Sequence, residues 1–242
     1  MSDPQRLPIR SLFLAATILL PWRMRRYLYV RLLGWHLAPT ARIGLSYVNA
    51  KMVSMADGSR IGPLNVVRNL SLLEMGPGSS IGQWNWLTQA PEFTSAFGAG
   101  GSFRGLKLGD HAAVVSRHYL DCSGGITIGN GALIAGVRST FITHQVEIVA
   151  GTLGTAPILV GEQCITSANV CFAPGSVLPD RSVVAMGAVV VGELTDQGAM
   201  YAGVPARVVR HGIDGGRWFS RKRGYLGVAP ADVLTPGDTL ER

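Results

Sequence analysis

An aliphatic residue followed by glycine keeps returning along this chain, at Ile43-Gly44, Ile61-Gly62, Ile81-Gly82, Leu108-Gly109, Ile128-Gly129 and Val160-Gly161. The first two pairs are 18 residues apart, Ile81 and Ile128 each follow a predecessor by 20, and Val160 to Leu178 is again 18. Eighteen is three sixes. The six-residue unit is plain in VGEQCI TSANVC FAPGSV LPDRSV VAMGAV, whose units begin at Val160, Thr166, Phe172, Leu178 and Val184. Its first position is mostly aliphatic, its second small (Gly161, Ser167, Ala173, Ala185) and its fifth small or β-branched (Cys164, Val170, Ser176, Ser182, Ala188). If each unit makes one short strand and one tight corner, three units close a triangle, and triangles stack at the ~4.8 Å strand spacing. The first position then points into the prism and the small residues let the chain turn. The fold class this predicts is all-β, a parallel β-helix.

Composition agrees. Glycine is abundant (31 of 242 residues), charged residues are 15% and hydrophobic ones 47%, the balance of a β chain that turns often and buries a real core. Cys122, Cys164 and Cys171 are an odd number without CxxC spacing, which argues against a disulfide framework or a zinc knuckle. They read as reduced, buried small hydrophobes.

Departures from the period mark loops. Ile81 to Leu108 is 27 residues, one coil plus about nine, and the excess is placed within Thr94 to Ser102. Ile128 to Val160 is 32, one coil plus about fourteen, and this excess falls just after His144. Long loops that interrupt a solenoid usually carry its function.

The net charge of +7 is concentrated at the front: residues 1–42 hold seven arginines (Arg6, Arg10, Arg23, Arg25, Arg26, Arg31, Arg42) against Asp3 alone. Such an arm beside apolar sequence points to an anionic membrane surface before it points to nucleic acid. Ser11 to Leu20 is about half the length needed to span a bilayer, and PWRMRR follows it instead of a cleavage site, so export is not expected. Residues 1–36 are expected to lie on the cytoplasmic face of the membrane, with Pro21 dividing them into two helical pieces; capping of the first coil is the competing role.

The hexads, together with GVPARVVR (Gly203 to Arg210), resemble the hexapeptide-repeat acyltransferases over roughly Ala41 to Arg210. The resemblance implies a left-handed parallel β-helix, a homotrimer, and O-acetyl transfer from acetyl-CoA to a hydroxyl of a sugar or polysaccharide intermediate. It divides the chain into an N-terminal segment (1–37), a β-helix (38–194) and a C-terminal segment and tail (195–242). Acyl transfer to a hydroxyl needs a group that removes its proton near neutral pH, and imidazole does so. The resemblance makes His144 that general base, with direct attack on acetyl-CoA and no covalent enzyme intermediate. His118, one coil before, is a candidate for the acceptor side. Asp121 is a candidate for holding a sugar hydroxyl or orienting a histidine, Glu147 for holding the His144 ring, and Arg138 for an acceptor or phosphate contact. Ala168 and Ala185 at coil corners, and Arg207 and Arg210 in the terminal segment, are the candidates for the coenzyme groove between neighbouring prisms. No metal is expected.

Two other readings compete. A zinc lyase resembling the γ-class carbonic anhydrases would use His111, His118 and His144, but lacks a closely spaced ligand pair late in the set. A scaffold without activity would have no need of the GVPARVVR segment.

Overall fold

The computed structural model describes residues 9–93 and 103–220. Its strands pair in parallel from coil to coil, and three interior columns run the length of the molecule. One joins Ile43, Ile61, Ile81, Val114, Ile134, Thr166, Val184 and Tyr201. The second joins Val48, Val67, Leu87, Leu120, Phe141, Phe172 and Val190. The third joins Leu37, Met55, Met75, Leu108, Ile128, Val160 and Leu178. Every one of these side chains is buried, which is how short strands of two or three residues hold together. The prism is the parallel β-helix that the hexads predict. The fifth positions Cys164, Val170, Ser176, Ser182 and Ala188 are buried too, so they are small because they share the narrow interior as well as the corner.

The Ile-Gly pairs also have a steric reason. A Cβ on Gly62 would collide with the carbonyl oxygen of Gly82 one coil along, and one on Gly82 with that of Val115. The corner backbones stack too closely for any other residue.

The register corrects one expectation. Leu108 stacks on Met75, not on Ile81, whose partner is Val114. The glycine pairs therefore change face between Ile81 and Leu108, and the first insertion is longer than the 27-residue spacing suggests. Its expected position, Thr94 to Ser102, lies outside the described residues. The second insertion is an antiparallel hairpin, His144–Glu147 paired with Thr152–Thr155, just where the excess after His144 was expected.

Helices α1 (Ile9–Thr17) and α2 (Trp22–Leu33), on either side of Pro21, close the blunt first end. Leu14, Tyr29 and Trp35 are buried against the first coil. Arg25 is buried as well; its Nη1 donates to the carbonyls of Ile43 (3.3 Å) and Gly44 (2.9 Å). Arg10 donates to the Ala50 carbonyl and Arg26 to that of Leu37. These guanidinium groups satisfy backbone oxygens of the first coil. His36–Leu37 already pairs with Ser54 and Met55, so the coil begins before residue 38. At the other end Met200–Ala202 stacks in parallel on Val183 and Val184, carrying the coil past residue 194, and Arg207–Arg210 folds back antiparallel to it. Cys122 and Cys164 are buried as expected, whereas Cys171 faces outward.

Candidate active site

The second face of the prism begins and ends at two chemically different corners. At its start, polar side chains form a ladder inside the wall. Each accepts a backbone N–H from the next coil: Asn65 N–H donates to Ser46 Oγ, Asn85 N–H to Asn65 Oδ1, His118 N–H to Asn85 Oδ1 (2.9 Å each), and Ser139 N–H to His118 Nδ1 (3.2 Å). A tight corner leaves amides that no strand partner reaches, and these side chains satisfy them. His118 is thus a structural rung. It is 2% exposed, and burial pushes its pKa down to about 4, because an imidazolium in this wall would lose its water and the Nδ1 lone pair that Ser139 needs. The expectation that His118 faces an acceptor beside His144 is therefore corrected.

At the far end of the same face the chain leaves Thr140–Phe141 through Ile142 and Thr143 to reach His144. Here a carboxylate lies under the ring. His144 Nδ1 is 2.7 Å from Asp121 Oδ2, with Asp121 almost fully buried and the His144 side chain 36% exposed. Asp121 comes from the preceding coil, where Tyr119 and Leu120 pair with Thr140 and Phe141. Ser123 donates to Asp121 Oδ1 through its hydroxyl at 2.6 Å, and Thr143 N–H donates to Oδ2 at 2.9 Å. The Thr143 hydroxyl stands 2.7 Å from the Asp121 carbonyl and 2.9 Å from Oδ2. Burial alone pushes the Asp121 carboxyl up, but the hydrogen bonds from Ser123, His144 and Thr143 outweigh it and hold the group below its ordinary value. An ionised carboxylate only accepts, so Nδ1 carries the proton and the lone pair sits on Nε2. The site is a half-exposed imidazole whose Nδ1 proton is held by a buried carboxylate.

Two residues that sequence reading missed frame it. The Phe93 ring lies 6.3 Å from the imidazole, and the Arg104 guanidinium stands 5.0 Å over Phe93. They flank the 94–102 segment; the only sequence signal was the break in period there. Asp121 is brought to His144 and, itself buried, hydrogen-bonds its ring. Glu147 is not: it is exposed in the hairpin and accepts from Gln145 Nε2 at 2.8 Å.

The remaining candidates lie elsewhere. Arg138 is exposed at the start corner, its N–H donating to the Arg117 carbonyl. Ala168 and Ala185 are half-buried at that same corner, Ala185 N–H donating to the Tyr201 carbonyl. Arg207 and Arg210 sit exposed on the closing strand. The zinc-lyase set does not gather either: His111 is exposed at another corner, His118 is inside the wall and His144 is on Asp121. Among the described residues, no cluster of three or more His, Cys, Asp or Glu side chains is placed to hold a metal ion.

No protein-family model and no curated protein matches the sequence. Solved structures do. A mutant of the N-acyltransferase AntD from Bacillus cereus, in complex with dTDP-4-amino-4,6-dideoxyglucose and coenzyme A, is 17% identical over 69% of this chain and 83% of its own, with a TM-score of 0.45. A hexapeptide-repeat containing acetyltransferase from Vibrio cholerae is 18% identical over 84% of this chain and 89% of its own, TM-score 0.38. A maltose O-acetyltransferase from Clostridium difficile is 14% identical over 84% of each chain, TM-score 0.40. On its own hexads and coil-to-coil register, this chain is a hexapeptide-repeat parallel β-helix.

Proposed function

We propose that the protein is an acetyl-CoA-dependent O-acetyltransferase acting on a hydroxyl of a sugar or polysaccharide intermediate, with His144 as general base. The observation that carries the reading is the His144–Asp121 pair: a part-exposed imidazole held through Nδ1 by a buried carboxylate at the corner from which the second insertion leaves. In the reaction Nε2 takes the acceptor hydroxyl proton as the oxygen attacks the thioester carbonyl. The tetrahedral intermediate collapses with loss of the coenzyme A thiolate, and the imidazolium returns the proton to that sulfur. Asp121 balances the imidazolium without taking its proton.

Within one chain, Ala168 and Ala185 occupy the corner at the start of the second face, while His144 occupies the corner at its end. A site that uses both has to be assembled between copies, which supports a homotrimer with coenzyme A in the groove between prisms and Arg207 and Arg210 near its phosphates. Arg138 lies at that same start corner, so its contact with an anionic part of the acceptor likewise comes from a neighbouring copy. The test is coenzyme A release from acetyl-CoA across a panel of free, nucleotide-linked and polyprenyl-linked sugars. Acceptor-dependent release that His144→Ala abolishes supports the reading; release unaffected by that change overturns it.

A further inference from the structure

The cap helices have a second face. Ile9 (87% exposed), Leu12 and Ala16 form one stripe along the outside of α1, Leu19 (84%) is exposed in the turn that follows it, and Met24 and Tyr27 (64%) are exposed on α2. Their inner faces are fully used by the first coil. A monomeric protein rarely leaves so many large apolar side chains on two adjacent helices in water. No acidic residue occurs between Asp3 and Asp57, so α1 and α2 carry only cationic side chains among their charges, and Asp57 is engaged by the Thr40 hydroxyl of the first coil. Arg10, Arg25 and Arg26 are committed to backbone carbonyls of the coil. Arg23 and Arg31 are exposed beside the stripe, Arg31 lying 6.0 Å over the Tyr27 ring. No helix among the described residues is long and apolar enough to cross a membrane.

We propose that this outer cap face docks on an anionic phospholipid bilayer, with the α1 stripe entering the interface and Arg23 and Arg31 pairing with lipid phosphates. An apolar stripe rimmed by cations, on helices without an acidic residue, is what an interfacial helix presents. The docking differs from an arm held mainly by charge. Three of the five arginines on the two helices serve the fold, so insertion of α1 dominates and charge adds selectivity. The surface is separate from the His144 corner, and neither proposal depends on the other.

The experiment is flotation of the full chain with vesicles of phosphatidylcholine alone and of phosphatidylcholine with phosphatidylglycerol. The wild type should float with the anionic vesicles. Ile9→Glu with Leu19→Glu should reduce bound protein about tenfold or more, with unchanged melting because both positions are exposed. Val149→Glu, at an equally exposed apolar position in the hairpin, should float as the wild type does; equal loss with that control overturns the proposal. Arg23→Glu with Arg31→Glu should remove the preference for anionic vesicles, and a preference left intact overturns the part given to charge. Absence of flotation, with sedimentation showing self-association that Ile9→Glu and Leu19→Glu abolish, would make the stripe a contact between copies and overturn the membrane reading.

Discussion

His118 and His144 sit on neighbouring coils at the two ends of one face, and the fold makes them chemical opposites. At the first corner the imidazole is an acceptor for the Ser139 amide, enclosed by wall and shifted to about 4. At the second it is a donor to a buried carboxylate and half open to solvent. Residue type and distance along the chain do not separate them. What does is the kind of unsatisfied group each corner presents: a stray amide needs an acceptor, and a buried carboxylate needs a donor.

The strongest way to break this comparison is kinetic. His144→Ala should lower turnover by about two to four orders of magnitude while leaving coenzyme A affinity nearly unchanged, as expected for loss of a general base. His118→Asn, which keeps an acceptor for Ser139, should leave turnover within a few fold (about the scatter of a second-order packing change). If the folded His118 variant is the more damaged enzyme, the roles are reversed.

Asp121→Asn sharpens the second corner. An amide can turn its NH2 toward Nδ1, which then accepts, and the proton moves to Nε2 where the lone pair is needed. Turnover should fall by about two orders of magnitude with melting changed far less than in Asp121→Leu. A variant that keeps full turnover would reduce the carboxylate to a fold element.

The first corner has a signature in pH. The unfolded chain protonates His118 near 6.5 and the folded chain only near about 4, so the unfolded state binds more protons in between. Stability is then complete above the unfolded value and falls as pH is lowered through that window, by at most about 3 kcal/mol. Asp121, with its pKa lowered, adds its own loss only below the ordinary carboxylate value of 3.8. In denaturant melts, the stability lost between pH 7 and 4 should be greater for wild type than for His118→Asn by about this amount. Parallel curves would show that the His118 ring is open to protons in the folded state.

The prism was legible because stacking repeats the same demand every coil: Val160, Thr166, Phe172, Leu178 and Val184 are all interior, as their spacing predicts. The place of His144 at the mouth of an insertion was legible because the period breaks just after it; its part in the chemistry rests on the proposal. The Asp121–His144 contact was visible only as one of two options, since the two residues meet through coil register and not through sequence spacing. His118 misled because a ladder rung and a site residue look alike in a string of letters; the hint, a column of Asn65, Asn85 and Ser139 at the same corner, needs the register that the first insertion hides. In the basic arm, charge counting credited lipids with Arg10, Arg25 and Arg26, which donate to carbonyls of the first coil.

The smallest expected effect concerns a polar group that neither corner uses. Thr166 stands in the first interior column between Ile134 and Val184, fully buried, and its Oγ1 has no hydrogen-bond partner among the described residues. The ladder hydroxyl of Ser139, by contrast, accepts the Val170 amide. A hydroxyl that gives up water without replacing it costs stability, and valine fills nearly the same volume without that cost. Thr166→Val should therefore raise stability by about 1 kcal/mol and leave turnover unchanged, read as a higher denaturation midpoint at constant slope. A lower midpoint would mean that the hydroxyl is satisfied by an interior water, which would extend the polar ladder of the first corner into the column beside it.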